Sequence, residues 1–274
     1  MEQLLFKRRK CLQTGAGQPE PVWNVTRPER QKKIAVVGIS RGAGATFVAL
    51  TLAFLLSETK KDESSQNRPA EVSYVEMRKP GSGESMAYYS AGLDRRFSAG
   101  RFTDFFSLYR KGSWPDKEGA VPLNLHKGVN WVVWRNREDD DINPDSFPLD
   151  ALPGKYIVAD SPSLDILHKF DMVIGVINPL PSDVYAGAEV YEALHDMQIC
   201  GLSMYWVLNR DNCEVNHSSL EQFLKLKNSF SVPEVSRELI YKAQYTCQLA
   251  AEVMRKEGSK WLEDFAGEIR ERLD

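Results

Sequence analysis

The sequence predicts an α/β fold, a doubly wound and mostly parallel sheet with helices on both faces. Apolar runs of strand length alternate with helical segments along the chain. The first run enters a glycine-bearing turn that opens directly into a helix of small and apolar residues. Three later runs, YIVADSP, DMVIGVINP and SMYWVLNRDN, are apolar through their length and polar at their carboxyl ends, the edge at which such sheets bind ligands.

Taken in order, Ile34 to Val37 form the first strand, Gly38, Gly42 and Gly44 shape the turn, and Thr46 opens the helix. Glu58 to Pro69 (ETKKDESSQNRP) reads as a polar surface loop, and Val72 to Met77 as the second strand. Arg101 to Lys111 carries Phe102, Phe105, Phe106 and Tyr109 at helical spacing, a stripe expected to face the core. Gly128 to Trp134 is a strand, and NREDDDINPDS after it a solvated acidic loop. Helices are expected from about Ser182, with that serine as the cap, and from about Asn216. At the C-terminus Trp261, Leu262, Phe265, Ile269 and Leu273 line one helix face. Its polar face is acidic, which anionic lipid repels, so the helix is expected to pack on the body.

A chain of 274 residues holds one large α/β domain or two small ones, and its pattern shows no boundary after an N-terminal arm. The division is therefore a basic, flexible arm at 1–32 and one domain at 33–274. Through Lys33, eight basic residues stand against three acidic ones, a local +5 that leaves the rest at −8 given the whole-chain −3. An acidic body with a basic arm fits tethering and gives no case for specific nucleic-acid binding. Cys11, Cys200, Cys213 and Cys247 form no C-x-x-C pair, and the four histidines form no metal pattern. Reduced thiols and the lack of a membrane-length apolar run predict a cytoplasmic protein. Any membrane contact is expected to be peripheral, at the inner face and through LLFKRRK of the arm.

The turn at residues 38–46 carries the chemistry. Its glycines let the backbone wrap an anion, and the helix N-terminus points free N–H groups at it. The phosphate-loop pattern G-x-x-x-x-G-K-[ST] places a lysine before the Ser/Thr, but that position is Ala45, and the first glycine falls on Ile39. A dinucleotide-binding G-x-G-x-x-G begun at Gly42 would need glycine where Phe47 stands.

The segment resembles the deviant phosphate loop KGGxGKT of the MinD/ParA ATPases, within the P-loop NTPases. Ser40 stands at the signature lysine, Arg41 at the first glycine, and Gly42, Ala43 and Gly44 follow the pattern. Ala45 replaces the second lysine, and Thr46 matches the threonine. Further matches follow in order: Val75–Met77 resembles the D-x-D segment, with Glu76 and Met77 at its usually acidic positions, and VADSP the switch motif D-x-P. INPLPSDVYAG resembles the N-P-x-x-S-S turn through Asn178, Pro179 and Ser182. VLNRDN resembles the adenine-reading strand end, and SVPEVSREL the segment closing the base pocket, with Pro233 and Glu234 in register.

The resemblance implies a nucleotide site of Ser40, Arg41, Gly42, Ala43, Gly44, Ala45, Thr46, Phe47, Asn209, Arg210 and Pro233. ATP or ADP is expected there weakly or not at all, and magnesium only with nucleotide, through Thr46 and Asp160. Each position also has a plain alternative: Asp160 as a strand-end cap, Asn209 as a turn residue, Glu76 as a structural carboxylate, Arg41 as a partner for surface carboxylates. With both lysines absent, catalytic residues are assigned to none. One functional class is then a degenerate MinD/ParA-like scaffold, a homodimer with a protein assembly partner, of the kind represented by the TadZ/CpaE proteins of Flp pilus assembly. The other is an active ATPase of the partitioning, division-site or metallocentre-insertion type, with Arg41 in place of lysine. In the family the dimer forms across the nucleotide; here its contacts are expected at Arg41 or in Pro80 to Tyr89.

Overall fold

The computed structural model describes residues 30–58, 70–77, 85–97, 101–114, 123–134, 142–226 and 229–273. Residues 1–29 of the arm, most of the polar loop after Glu58, residues 80–84 of the expected dimer surface and the acidic loop through residue 141 lie outside them. The elements run β1 (Lys32–Gly38), α1 (Ala45–Ser57), β2 (Val72–Glu76), α2 (Met86–Ser90), α3 (Leu93–Arg96), α4 (Phe105–Arg110), β3 (Leu125–His126), β4 (Val129–Val132) and β5 (Tyr156–Asp160). They continue as β6 (Met172–Ile177), α5 (Pro181–Ala186), α6 (Ala188–Ile199), β7 (Met204–Asp211), α7 (His217–Leu224), β8 (Ser229–Pro233), α8 (Arg237–Thr246), α9 (Ala250–Lys256) and α10 (Trp261–Leu273).

The strands form one eight-stranded sheet in the order β3-β4-β2-β5-β1-β6-β7-β8, parallel except for the β3–β4 pair. This is the predicted α/β class. β1 lies between β5 and β6, so the chain leaves it toward β2 on one side and later crosses to β6 on the other. The crevice at its carboxyl end is where a doubly wound sheet receives a ligand.

Alternation along β1 divides the interior into two cores. Ile34 and Val36 face a core shared with α1, α9 and α10, while Ala35 and Val37 face one built with Phe105, Phe106, Trp134, Tyr191 and Trp206. α1 is buried from Val48 through Leu56 because it has sheet beneath it and helices over it. α10 buries Leu262, Phe265, Ala266, Ile269 and Leu273 there, as its stripe predicted. Arg270 Nη2 donates to Leu55 O at 2.8 Å, tying α10 to the end of α1.

Two local expectations differ from the structure. The 101–111 stripe is split, because Asp104 accepts from the Ser107 N–H at 3.0 Å and starts the helix only at Phe105. Phe102 therefore joins Tyr88 and Phe97 in one core while Phe105 and Phe106 enter the other. Ser182 does not cap α5: Pro181 takes the first helical position after Leu180, and Asp183 accepts from Asn178 Nδ2 at 2.6 Å.

Candidate functional site

The loop after β1 is braced from below. The Ile39 N–H donates to Val176 O at 3.0 Å, continuing the β1–β6 ladder one residue into the loop. A Cβ at Gly187 would lie 2.9 Å from both Ile39 O and Ile39 Cγ1, so that glycine lets the α5–α6 junction pass beneath the loop. Gly42 and Gly44 hold φ of 86° and 96°, the left-handed region, which turns the chain into α1. Among the described residues no side chain caps α1, and its first backbone hydrogen bond is Val48 N–H to Gly44 O at 3.0 Å. The preceding N–H groups form the positive end of a 13-residue helix.

Behind the loop, Asn209 is 4% exposed and donates from Nδ2 to Ala43 O at 2.7 Å. Its amide thus couples the end of β7 to the loop, leaving Oδ1 and one N–H for a ligand. The β7–β8 register breaks between Asn209 and Asp211, and Arg210 at that bulge takes φ 68°. The bulge turns Arg210 outward beside Asn209, a re-aiming that regular alternation would not give.

A cavity of about 650 Å³ opens from the helix N-terminus. Gly44, Thr46 and Phe47 form one wall, Asn209 and Arg210 the end of β7, and Glu234 and Val235 the segment after β8. Met86 and Ser90 of α2 close another side, with Ile240 and Gln244 of α8 facing them. Five residues of the nucleotide site expected from sequence therefore meet here, Gly44, Thr46, Phe47, Asn209 and Arg210, together with Glu234 of the segment expected to close the base pocket. The others sit around the cavity rather than in its lining. Ser40 is partly buried, with its Oγ enclosed and without a hydrogen-bond partner among the described residues. Arg41 and Gly42 are exposed at the loop tip, Ala43 is buried, and Ala45 is the first residue of α1, packed on the core. Pro233 is exposed and pairs with Asp211, so the wall at that point comes from Glu234 and Val235. Met86, Ser90, Ile240 and Gln244 carry no motif, and proximity in the fold alone brings them in.

Asp160 and Glu76 face one another in register at the ends of β5 and β2. Asp160 is 2% exposed; its Oδ2 accepts from the Tyr74 hydroxyl at 2.7 Å and its Oδ1 from the Ser161 hydroxyl at 2.9 Å. Burial, then the two carboxylates, push the Tyr74 hydroxyl well above its ordinary pKa, so it remains a donor. Glu76 Oε2 accepts from the Trp134 N–H at 3.2 Å, and the Ser85 hydroxyl also binds this carboxylate. Burial above all, with a smaller push from Asp160, raises Glu76 to about 7 against the hydrogen bonds from Ser85 and Trp134. Among the described residues, no group of three or more His, Cys, Asp or Glu is arranged to hold a metal ion.

A carboxyl group with a raised folded-state pKa binds more protons folded than unfolded. Its contribution is full below the unfolded value of 4.5 and is lost as pH rises through about 7. Glu76→Gln is expected to abolish that loss, so its stability relative to wild type increases across this window in urea melts. His126, held down to about 4 chiefly by burial, pulls the other way below pH 6.5, so the difference between the two proteins is the readout.

No protein-family model and no curated protein matches the sequence. Solved structures do match the fold. The chain is similar to a ParA family ATPase from Chlorobium tepidum TLS (TM-score 0.62, 15% identity, 86% of this chain and 98% of that one). It is similar to the Pyrococcus furiosus cell division ATPase MinD (TM-score 0.59, 19% identity, 88% and 98%). It is also similar to McdA from Cyanothece in an ATP complex (TM-score 0.60, 14% identity, 86% and 95%). At these identities the shared property is the fold, that of ParA/MinD nucleotide-binding proteins.

Proposed function

We propose that this protein is a nucleotide-binding scaffold with little or no ATP hydrolysis. One observation carries the reading: an uncapped helix N-terminus opens into a cavity edged by Asn209 and Arg210, while the lysine positions of the loop hold Ser40 and Ala45. The backbone cradle suits a phosphate, and the amide and apolar walls suit a base. Phosphoryl transfer also needs charge placed on the transferring group. Each charge-assisted hydrogen bond contributes about 1.5–3 kcal/mol, so missing two weakens triphosphate binding by roughly 10²- to 10⁴-fold. Arg41 is exposed at the loop tip and does not line the cavity, which supports a contact with a second copy of the chain.

In this reading the protein forms a weak homodimer, less dependent on nucleotide than an active ATPase, and positions a protein assembly. The Flp pilus apparatus is the specific candidate, supported by the atypical phosphate loop that TadZ/CpaE proteins also carry. Light scattering with and without ATP tests the dimer. Among the described residues no helix is long and apolar enough to cross a membrane.

Phosphate release and fluorescent-nucleotide titration test the central claim. Wild-type protein is expected to bind nucleotide and release phosphate only at background. Ala45→Lys is expected to tighten ATP binding by about tenfold or more, from one restored charge-assisted bond, without restoring a full rate. Robust wild-type turnover abolished by Thr46→Ala would establish the active-ATPase reading instead.

A further inference from the structure

We propose that the cavity takes an adenine nucleotide of one or two phosphates without a magnesium ion. The inference rests on the nucleotide reading above and narrows it. Magnesium requires oxygen ligands in near-octahedral array and keeps several of its waters, which carboxylates then orient. The two carboxylates at the neighbouring strand ends are committed elsewhere. Asp160 accepts the Tyr74 and Ser161 hydroxyls, one on each oxygen, and is not among the residues that line the cavity. Glu76 is bound by the Trp134 N–H and Ser85 and is 8% exposed. Turning Asp160 toward a hydrated ion would strand the Tyr74 hydroxyl in a fully buried position, where no water replaces its partner. The carboxylates beside the loop therefore do not fit magnesium; Thr46 and Glu234 line the cavity, but Glu234 Oε2 already accepts from Asn212 Nδ2 at 3.3 Å on the far wall.

Charge points the same way. The positive end of α1 amounts to about half a unit charge. Arg210 and Arg237 are the cationic side chains among the described residues lining the cavity, and Glu234 opposes them. That field matches one or two phosphates, and a third adds charge that neither a lysine nor a metal offsets. Asn209 keeps Oδ1 and one N–H for the base in every case.

Isothermal titration of the full chain with AMP, ADP and ATP, each with magnesium and with EDTA, tests this. The expected result is binding that changes by less than about threefold on adding magnesium, with ATP no tighter than ADP. Magnesium tightening ATP by about tenfold or more would overturn the inference and leave the nucleotide reading standing. Failure of all three nucleotides in both buffers would overturn both. Tyr74→Phe supplies a second arm, since it removes the hydroxyl bonded to Asp160 Oδ2. A folded Tyr74→Phe protein is expected to gain a magnesium response in ADP binding, and one that stays indifferent would refute the role given to Tyr74. If that variant does not fold, the wild-type titrations decide alone.

Discussion

Phe265→Ala will lower the stability of the protein by about 3–5 kcal/mol, the cost of removing a fully buried aromatic side chain. Phe265 is 0% exposed, and its ring lies 5.1 Å from that of Phe230 under α10. The helix is also held by the Tyr205 hydroxyl bonded to Glu268 and by Arg270 on Leu55 O. A thermal midpoint lower by on the order of 10 °C is expected. Differential scanning calorimetry measures it, and vesicle sedimentation provides the contrast. An amphipathic C-terminal helix that served as a detachable lipid anchor would lose vesicle binding in this variant and keep its melting temperature. Here the melt should move, because the apolar face of α10 is part of the core covering α1.

Gly44→Ala should cost roughly 2–4 kcal/mol and abolish ligand binding, combining left-handed backbone strain with a broken buried hydrogen bond. A Cβ at Gly44 overlaps the side-chain nitrogen of Asn209, the atom that donates to Ala43 O. Asn209 cannot step aside without releasing the loop from β7. Gly42→Ala is the matched control, since Gly42 has φ 86° but open space around its Cβ position. It should show only the backbone cost of about 1–2 kcal/mol. Urea melts and nucleotide titrations of the pair separate strain from collision, and equal losses in both would remove Asn209 from the account.

The contrast between these glycines shows where sequence reading stops. Both belong to the same short pattern, and the pattern explains why each tolerates a left-handed backbone. That Gly44 faces Asn209, 165 residues further on, follows only from β1 and β7 flanking β6 in one sheet. The same holds for Gly187 beneath Ile39 and for Tyr74 beside Asp160, pairs joined by register and crossover rather than by any spacing. The edge strand β8 and the helices α8 and α9 were also poorly legible. SFSVP has too few apolar residues to announce a strand, and β8 pairs only along β7. α8 is largely exposed, so its sequence lacks a strong buried stripe.

What the sequence determined by itself was the α/β class, the main strands, the glycine-bearing turn into α1, the C-terminal helix face and the identities of Ser40 and Ala45 in that turn. These are local properties: apolar periodicity, backbone permission at glycine and the identity of single residues each act over a few positions. Only the tertiary structure decided that Asn209 braces the loop, that Tyr74 occupies Asp160, that Val235 joins Glu234 in lining the cavity while Pro233 does not, and that α2 and α8 complete it. Those outcomes depend on which strand ends become neighbours, and strand order is set by the burial of two cores at once rather than by any short stretch of chain.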